Sequence, residues 1–118
     1  MKTTTIVSAV LMLIAAKAYA APDAKKGETS YKQFCVTCHG EKGDGNGPAG
    51  ASLTPKPTNF ADKAKMKTVT DAGMFDMIKK GGAAMNRSPL MAPWGGVLKD
   101  EDIQNVVAFL RTFSADKK

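Results

Sequence analysis

Histidine and cysteine are scarce in this 118-residue chain: one histidine, His39, and two cysteines, Cys35 and Cys38. One histidine excludes any centre that needs two, and two cysteines exclude a disulfide framework. Strand-period alternation and internal repeats are missing. The length excludes a multidomain protein, since one domain typically takes roughly 100–200 residues. Composition of 43% hydrophobic and 24% charged residues is ordinary for a globular chain and excludes wholesale disorder. The formal net charge of +6 comes from lysines scattered among acids, which fits nucleic acid poorly.

After residue 20 no stretch is apolar enough to span a bilayer, which takes about 20 residues. Before it, Met1-Lys2 leads into a mostly apolar run from Ile6 to Ala16, and Ala18-Tyr19-Ala20 follows. A charged start, a short apolar middle and a small-x-small end form a secretory signal. An uncleaved anchor is the competing reading, and the short run, interrupted at Lys17, weighs against it. The expectation is a cleaved signal at 1–20 and one domain at 21–118. Cleavage removes Lys2 and Lys17 and leaves 98 residues with a net charge of +4. The expected location is a bacterial periplasm.

Asp23 is an N-cap candidate for a helix over Ala24–Phe34, with Ala24, Gly27, Tyr31 and Phe34 at helical spacing. Residues 40–58 hold eight Gly or Pro in nineteen positions and read as a long loop. Such loops are uncommon in compact domains unless functional or disordered, which hints at a bulky group to wrap around. A short turn is expected over Ala61–Met66. Thr70 caps a helix through Met74, Phe75, Met77 and Ile78 to Lys80, stopped by Gly81-Gly82. Residues 83–98 are loop. A last helix over Asp100–Phe113 carries an apolar stripe of Ile103, Val106, Val107, Leu110 and Phe113. The predicted class is all-α, with about three main helices and long loops.

Cys35-Val36-Thr37-Cys38-His39 is a Cys-x-x-Cys-His string, which in an exported chain marks c-type haem attachment. Two thiols three positions apart on a helical turn can each form a thioether with one haem vinyl group. The next residue then lies under the iron, so His39 donates a ring nitrogen, with the other nitrogen held by a backbone carbonyl. A redox disulfide would want a βαβ strand ahead of it, and a zinc site would want four ligands. One motif gives one haem.

With these residues in view, the chain resembles the class I c-type cytochromes, monohaem proteins with His and Met axial ligands. The likeness rests on Gly27 and Tyr31, on residues 35–39, on Gly43-Asp44-Gly45-Asn46-Gly47-Pro48, on Ser88-Pro89-Leu90-Met91-Ala92-Pro93-Trp94-Gly95-Gly96, and on the last helix. It implies crossed N- and C-terminal helices, with Gly27 and Tyr31 against Phe109 and Val106. It implies Met91 as sixth ligand on a strap, with Met85 the other loop methionine and Met66, Met74 and Met77 in packing roles. The family commonly has Pro directly after this Met, and here Ala92 intervenes. By the same resemblance the Pro48 carbonyl accepts from His39, against a plain turn role. Trp94 packs on the haem or bonds a propionate, with core burial the alternative, and Arg87 is a propionate partner or a solvated loop residue.

The implied function is a soluble, monomeric, non-enzymatic carrier of single electrons between redox proteins, acidic ones among them, with no membrane anchor after cleavage. A haem peroxidase or gas sensor is the alternative if Met91 leaves the sixth position open, with only Arg87 or Arg111 available on the distal side. A fixed subunit of a larger respiratory complex is the other.

Overall fold

The computed structural model describes residues 20–116, so the expected signal at 1–20 lies almost wholly outside the described residues. The Asp23 carboxylate accepts from the backbone N–H groups of Lys25 and Lys26 and starts α1, Ala24–Phe34, over the span the spacing predicts. Cys35 ends α1 and begins α2, Val36–His39, a single turn that carries the motif. After a long loop come α3, Lys63–Thr68, and α4, Asp71–Ala84, and a second loop leads to α5, Asp100–Thr112. The described residues form five helices and no strand, the predicted all-α class.

The first and last helices make the frame. At Gly27 the backbones of α1 and α5 meet so closely that an added Cβ would sit 1.9 Å from the Asn105 carbonyl oxygen. Tyr31, one turn on, is 1% exposed, its ring centroid 5.2 Å from that of Phe109 and 5.4 Å from that of Phe113. Ile103, Val106, Val107 and Leu110 complete the buried face of α5. The crossing implied by the resemblance is therefore present. Asn105, the buried polar side chain of this face, accepts from the Asp23 N–H at 2.7 Å and pins the chain where it enters α1. Gly27→Ala is expected to cost about 1–3 kcal/mol, as overpacking does, despite the gain of up to ~1 kcal/mol in helix propensity. Thermal unfolding of the haem-loaded protein checks it.

One boundary differs from the sequence reading. The short helix starts at Lys63 rather than Ala61, because Asn59 accepts from the Ala61 N–H in a turn and Asp62 caps the helix by accepting from Lys65. The regular helix of α4 ends at Lys80, stopped at Gly81 as the spacing predicts: Gly81 has φ 79°, ψ 167°, and a separate short turn follows to Ala84. Both glycines are buried, and both serve close approach. A Cβ on Gly82 would sit 1.9 Å from the Ser88 carbonyl oxygen, and one on Gly81 would sit 2.8 Å from the Pro93 nitrogen. The pair is a seat for the second loop. Met66, Met74 and Ile78 fill the core between these elements, and Met77 is half-buried.

Lys99 holds the N-cap position of α5 without a capping side chain, and Asp102 compensates by accepting the Lys99 N–H at 3.0 Å. At the other end Arg111 ties α5 to the α3–α4 junction. Its guanidinium donates to the carbonyls of Met66, at 2.6 Å, and Val69, and to the Asp71 carboxylate at 2.7 Å. Arg111→Ala is expected to cost about 1–3 kcal/mol through the two stranded carbonyls. Asp71→Asn is expected to cost at most ~1 kcal/mol, because that carboxylate is largely exposed and its ion pair is screened. Comparing the two melting curves separates the contributions.

Candidate functional site

The motif lies on one turn joined directly to the helix crossing. The Cys35 N–H donates to the Tyr31 carbonyl at 2.8 Å, and the Cys38 and His39 N–H groups donate back to the Cys35 carbonyl. Both thiols are free and half-buried, Cys35 at the N-cap of α2 and Cys38 within it. Burial first, and then the neighbouring Cys38, push the Cys35 thiol up to about 11. A reactive Cys-x-x-Cys pair has a thiol lowered toward neutrality, so this environment is the opposite of an oxidoreductase site. Among the described residues no cluster of three or more His, Cys, Asp or Glu side chains is placed to hold a bare metal ion.

His39 is held from both sides of its ring. Its Nδ1 donates to the Thr58 carbonyl at 3.3 Å, and the Phe60 ring stacks on it with centroids 4.8 Å apart and planes 26° apart. Nδ1 as donor leaves the Nε2 lone pair for a metal. Burial lowers the His39 pKa below its ordinary value, the Thr58 bond opposing, so the imidazole is neutral at neutral pH, the state that ligates. The expected Pro48 role is corrected here: the acceptor at Nδ1 is Thr58. Gly47 and Ala49 donate to the carbonyls of Cys38 and Thr37, which lays this segment along α2 and leaves Pro48 exposed. Neither Thr58 nor Phe60 was legible as a site residue, because each reaches His39 only by the return of an aperiodic loop. That return is fixed by bonds from Gly45 to the His39 carbonyl, at 2.9 Å, and from Phe60 to the Gly43 carbonyl, at 2.7 Å.

The strap sits on α4. Gly82 donates to the Met91 carbonyl at 2.8 Å, and Trp94 and Gly95 donate to the carbonyls of Ile78 and Lys79. Met91 is half-buried and packs against the buried core, as Trp94 does. The Trp94 ring lies 5.2 Å from that of Phe34, the residue before Cys35, and this contact joins the strap to the motif. The interposed Ala92 does not unseat the strap, since Pro93 still packs on Gly81. Met85 instead occupies the C-cap of α4, Arg87 is exposed, and Arg111 is committed to its clamp, away from any distal role.

The donor set fits haem c. Two free thiols lie on one turn, a neutral imidazole is oriented by a carbonyl, and a methionine strap is seated on a glycine pair. An all-α frame of crossed terminal helices with such a turn defines a c-type cytochrome. Residues 22–110 match the family described as cytochrome c oxidase, cbb3-type, subunit III, and the chain belongs to that family. It is 30% identical over 95 residues to the cbb3-type cytochrome c oxidase subunit FixP of Bradyrhizobium diazoefficiens, a match covering 80% of this chain and 29% of that one. It is 33% identical over 95 residues to cytochrome c-554(547) of Halothiobacillus neapolitanus, covering 78% of this chain and 98% of that one. Among solved structures, the KustC0563 c-type cytochrome superposes with a TM-score of 0.61 at 26% identity, covering 75% of this chain and 98% of that one. A chain of the Kuenenia stuttgartiensis reducing HAO-like protein complex Kustc0457/Kustc0458 gives 0.63 at 28% identity, covering 80% and 44%. The protein is thus a c-type cytochrome with covalently bound haem c, involved in electron transfer. Among the described residues no helix is long and apolar enough to cross a membrane.

Proposed function

We propose that the chain is a soluble, monomeric, single-haem carrier that moves one electron at a time between redox proteins in the periplasm after residues 1–20 are removed. Cys35 and Cys38 hold the haem through thioethers, His39 is the proximal ligand and Met91 closes the sixth position. Bound haem supplies a one-electron couple between ferric and ferrous iron. The chain's residues hold that couple in place: Thr58 fixes the tautomer of His39, and the Gly81–Gly82 seat fixes the strap. Trp94 packs between the strap and Phe34.

The observation that carries this reading is the seating of the Met91 strap on the buried glycine pair of α4. With His39 and Met91 both holding the iron, no position would be left for a substrate, and the chemistry would reduce to outer-sphere transfer to a docked partner. Such encounters are small, often under about 1,200 Å², and surface lysines raise their on-rates at low salt. The test is the absorption spectrum of the periplasmically matured protein, oxidised, reduced, and reduced under carbon monoxide. A low-spin c-type spectrum indifferent to carbon monoxide is expected. A spectrum that shifts with the gas would replace the carrier by a peroxidase or sensor.

A second reading, a fixed electron-transfer subunit, draws support from FixP, whose name places it in an oxidase and of which the matched segment is 29%. Size-exclusion chromatography of native extract separates the two. Co-elution with a large complex would favour the subunit.

A further inference from the structure

We propose that the Tyr31 hydroxyl positions the iron ligand His39, acting through the Gly40 carbonyl. The proposal rests on His39 being that ligand. The Tyr31 ring fills the α1–α5 crossing, but a phenylalanine would pack there equally well. The hydroxyl is a separate matter, since burying one costs roughly 1–3 kcal/mol unless it is bonded. It donates to the Gly40 carbonyl at 2.7 Å, in a buried setting, across nine residues of chain. Burial, with Cys35 and Asp44 adding, raises its pKa, so it remains a donor.

Gly40 is where the backbone leaves α2, at φ 81°, ψ 159°, directly after His39. The His39 N–H donates to the Cys35 carbonyl, the His39 carbonyl accepts from Gly45, and the Gly40 carbonyl accepts from Gly43 at 3.1 Å. All of these bonds lie within the motif and its own loop. The Tyr31 bond differs, because it comes from the helix crossing. The same aromatic cluster reaches His39 by a second route. Tyr31 packs on Phe113, Phe113 faces Phe60 with centroids 6.5 Å apart and planes 16° apart, and Phe60 stacks on the His39 ring. The backbone of His39 and its ring are therefore both referred to one rigid unit, and the hydroxyl is the polar half of that link. Tighter control of imidazole orientation is a lever on haem electronics.

The test compares the haem-loaded parent, Tyr31→Phe, and protein grown with 3-fluorotyrosine. The chain has two tyrosines, Tyr19 and Tyr31, so signal cleavage leaves Tyr31 as the labelled site. Fluorination strengthens the phenol as a donor without changing its packing, while phenylalanine removes the donor. Midpoint potential and the ferric electron paramagnetic resonance g-values are measured for all three. The two changes are expected to move both readouts in opposite directions from the parent. Val107→Ala, which thins the buried face of α5 outside the Tyr31–Phe113–Phe60 route and keeps the hydroxyl, is expected to lower the melting temperature and leave both readouts at parent values. Unmoved readouts, or shifts of the same sign, would overturn the proposal. If Tyr31→Phe fails to load haem, the fluorinated protein still decides by shifting or not. A parent spectrum lacking histidine ligation would overturn the proposal together with the assignment of His39, and that result is distinct from an unmoved potential in a His-ligated parent.

Discussion

Cys35→Ala or Cys38→Ala, expressed with the haem-maturation machinery present, yields protein without normally attached haem and without a cooperative thermal transition. The reason lies in how little of this chain folds on its own account. Residues 41–62 and 85–99 carry no helix, and domains of this size bury only roughly 60–65% of the surface their unfolded chains expose. The buried apolar set is small: Tyr31, Phe60, four aliphatic residues of α5, and a few side chains from α3, α4 and the second loop. Half-buried Cys35, Val36, Met91 and Trp94 border that set, and on the proposed reading bound haem would cover them. A single alanine therefore removes far more than one side chain's burial. Mass spectrometry of the purified chain reads the missing haem, and far-ultraviolet circular dichroism reads the loss of helix. A compact apo-protein with a sharp melting transition would show that α1 and α5 suffice alone.

How much of this was legible in the sequence follows from the range of each signal. Asp23 and the spacing of Gly27, Tyr31 and Phe34 determine α1 locally, and its span agrees with the structure to the residue. The Cys-x-x-Cys-His string also carries its chemistry within five residues. Gly81-Gly82 shows where local reading stops short. A glycine pair after a helix is a stop signal by local rules, and Gly81 does break the helix, but the pair is also a seat whose purpose appears only once Ser88, Met91 and Pro93 arrive from the following loop. Asn105 is the same case, a polar residue amid an apolar stripe whose partner is the Asp23 backbone, 82 residues earlier. Arg111 has no sequence mark separating a carbonyl clamp from a solvated arginine. Thr58 contributes a backbone carbonyl, so its side chain gives no hint of the role. Contacts across long separations depend on loop paths, and these loops have no period from which to read a path.

Met91→Ala is expected to keep covalently attached haem, lower the midpoint potential and let ferrous protein bind carbon monoxide. A thioether is a neutral, soft donor that favours ferrous over ferric iron, so its loss favours the ferric state. The fall should be on the order of 0.1 V or more, within the roughly 0.8 V over which axial ligation moves haem potentials. The fold should survive. The strap is anchored by backbone bonds from Gly82 to Met91, Trp94 to Ile78 and Gly95 to Lys79, none of which needs the thioether. Truncating a half-buried methionine costs about 1–2 kcal/mol, less than the 2–5 kcal/mol of a fully buried one. Met85→Ala is the decisive control. Met85 is the C-cap of α4, its N–H donating to the Gly82 carbonyl, and alanine keeps that bond, so potential and gas binding should stay at parent values. If Met85→Ala opens the iron and Met91→Ala does not, the strap is a cover rather than a ligand, and the glycine seat serves only to hold it closed.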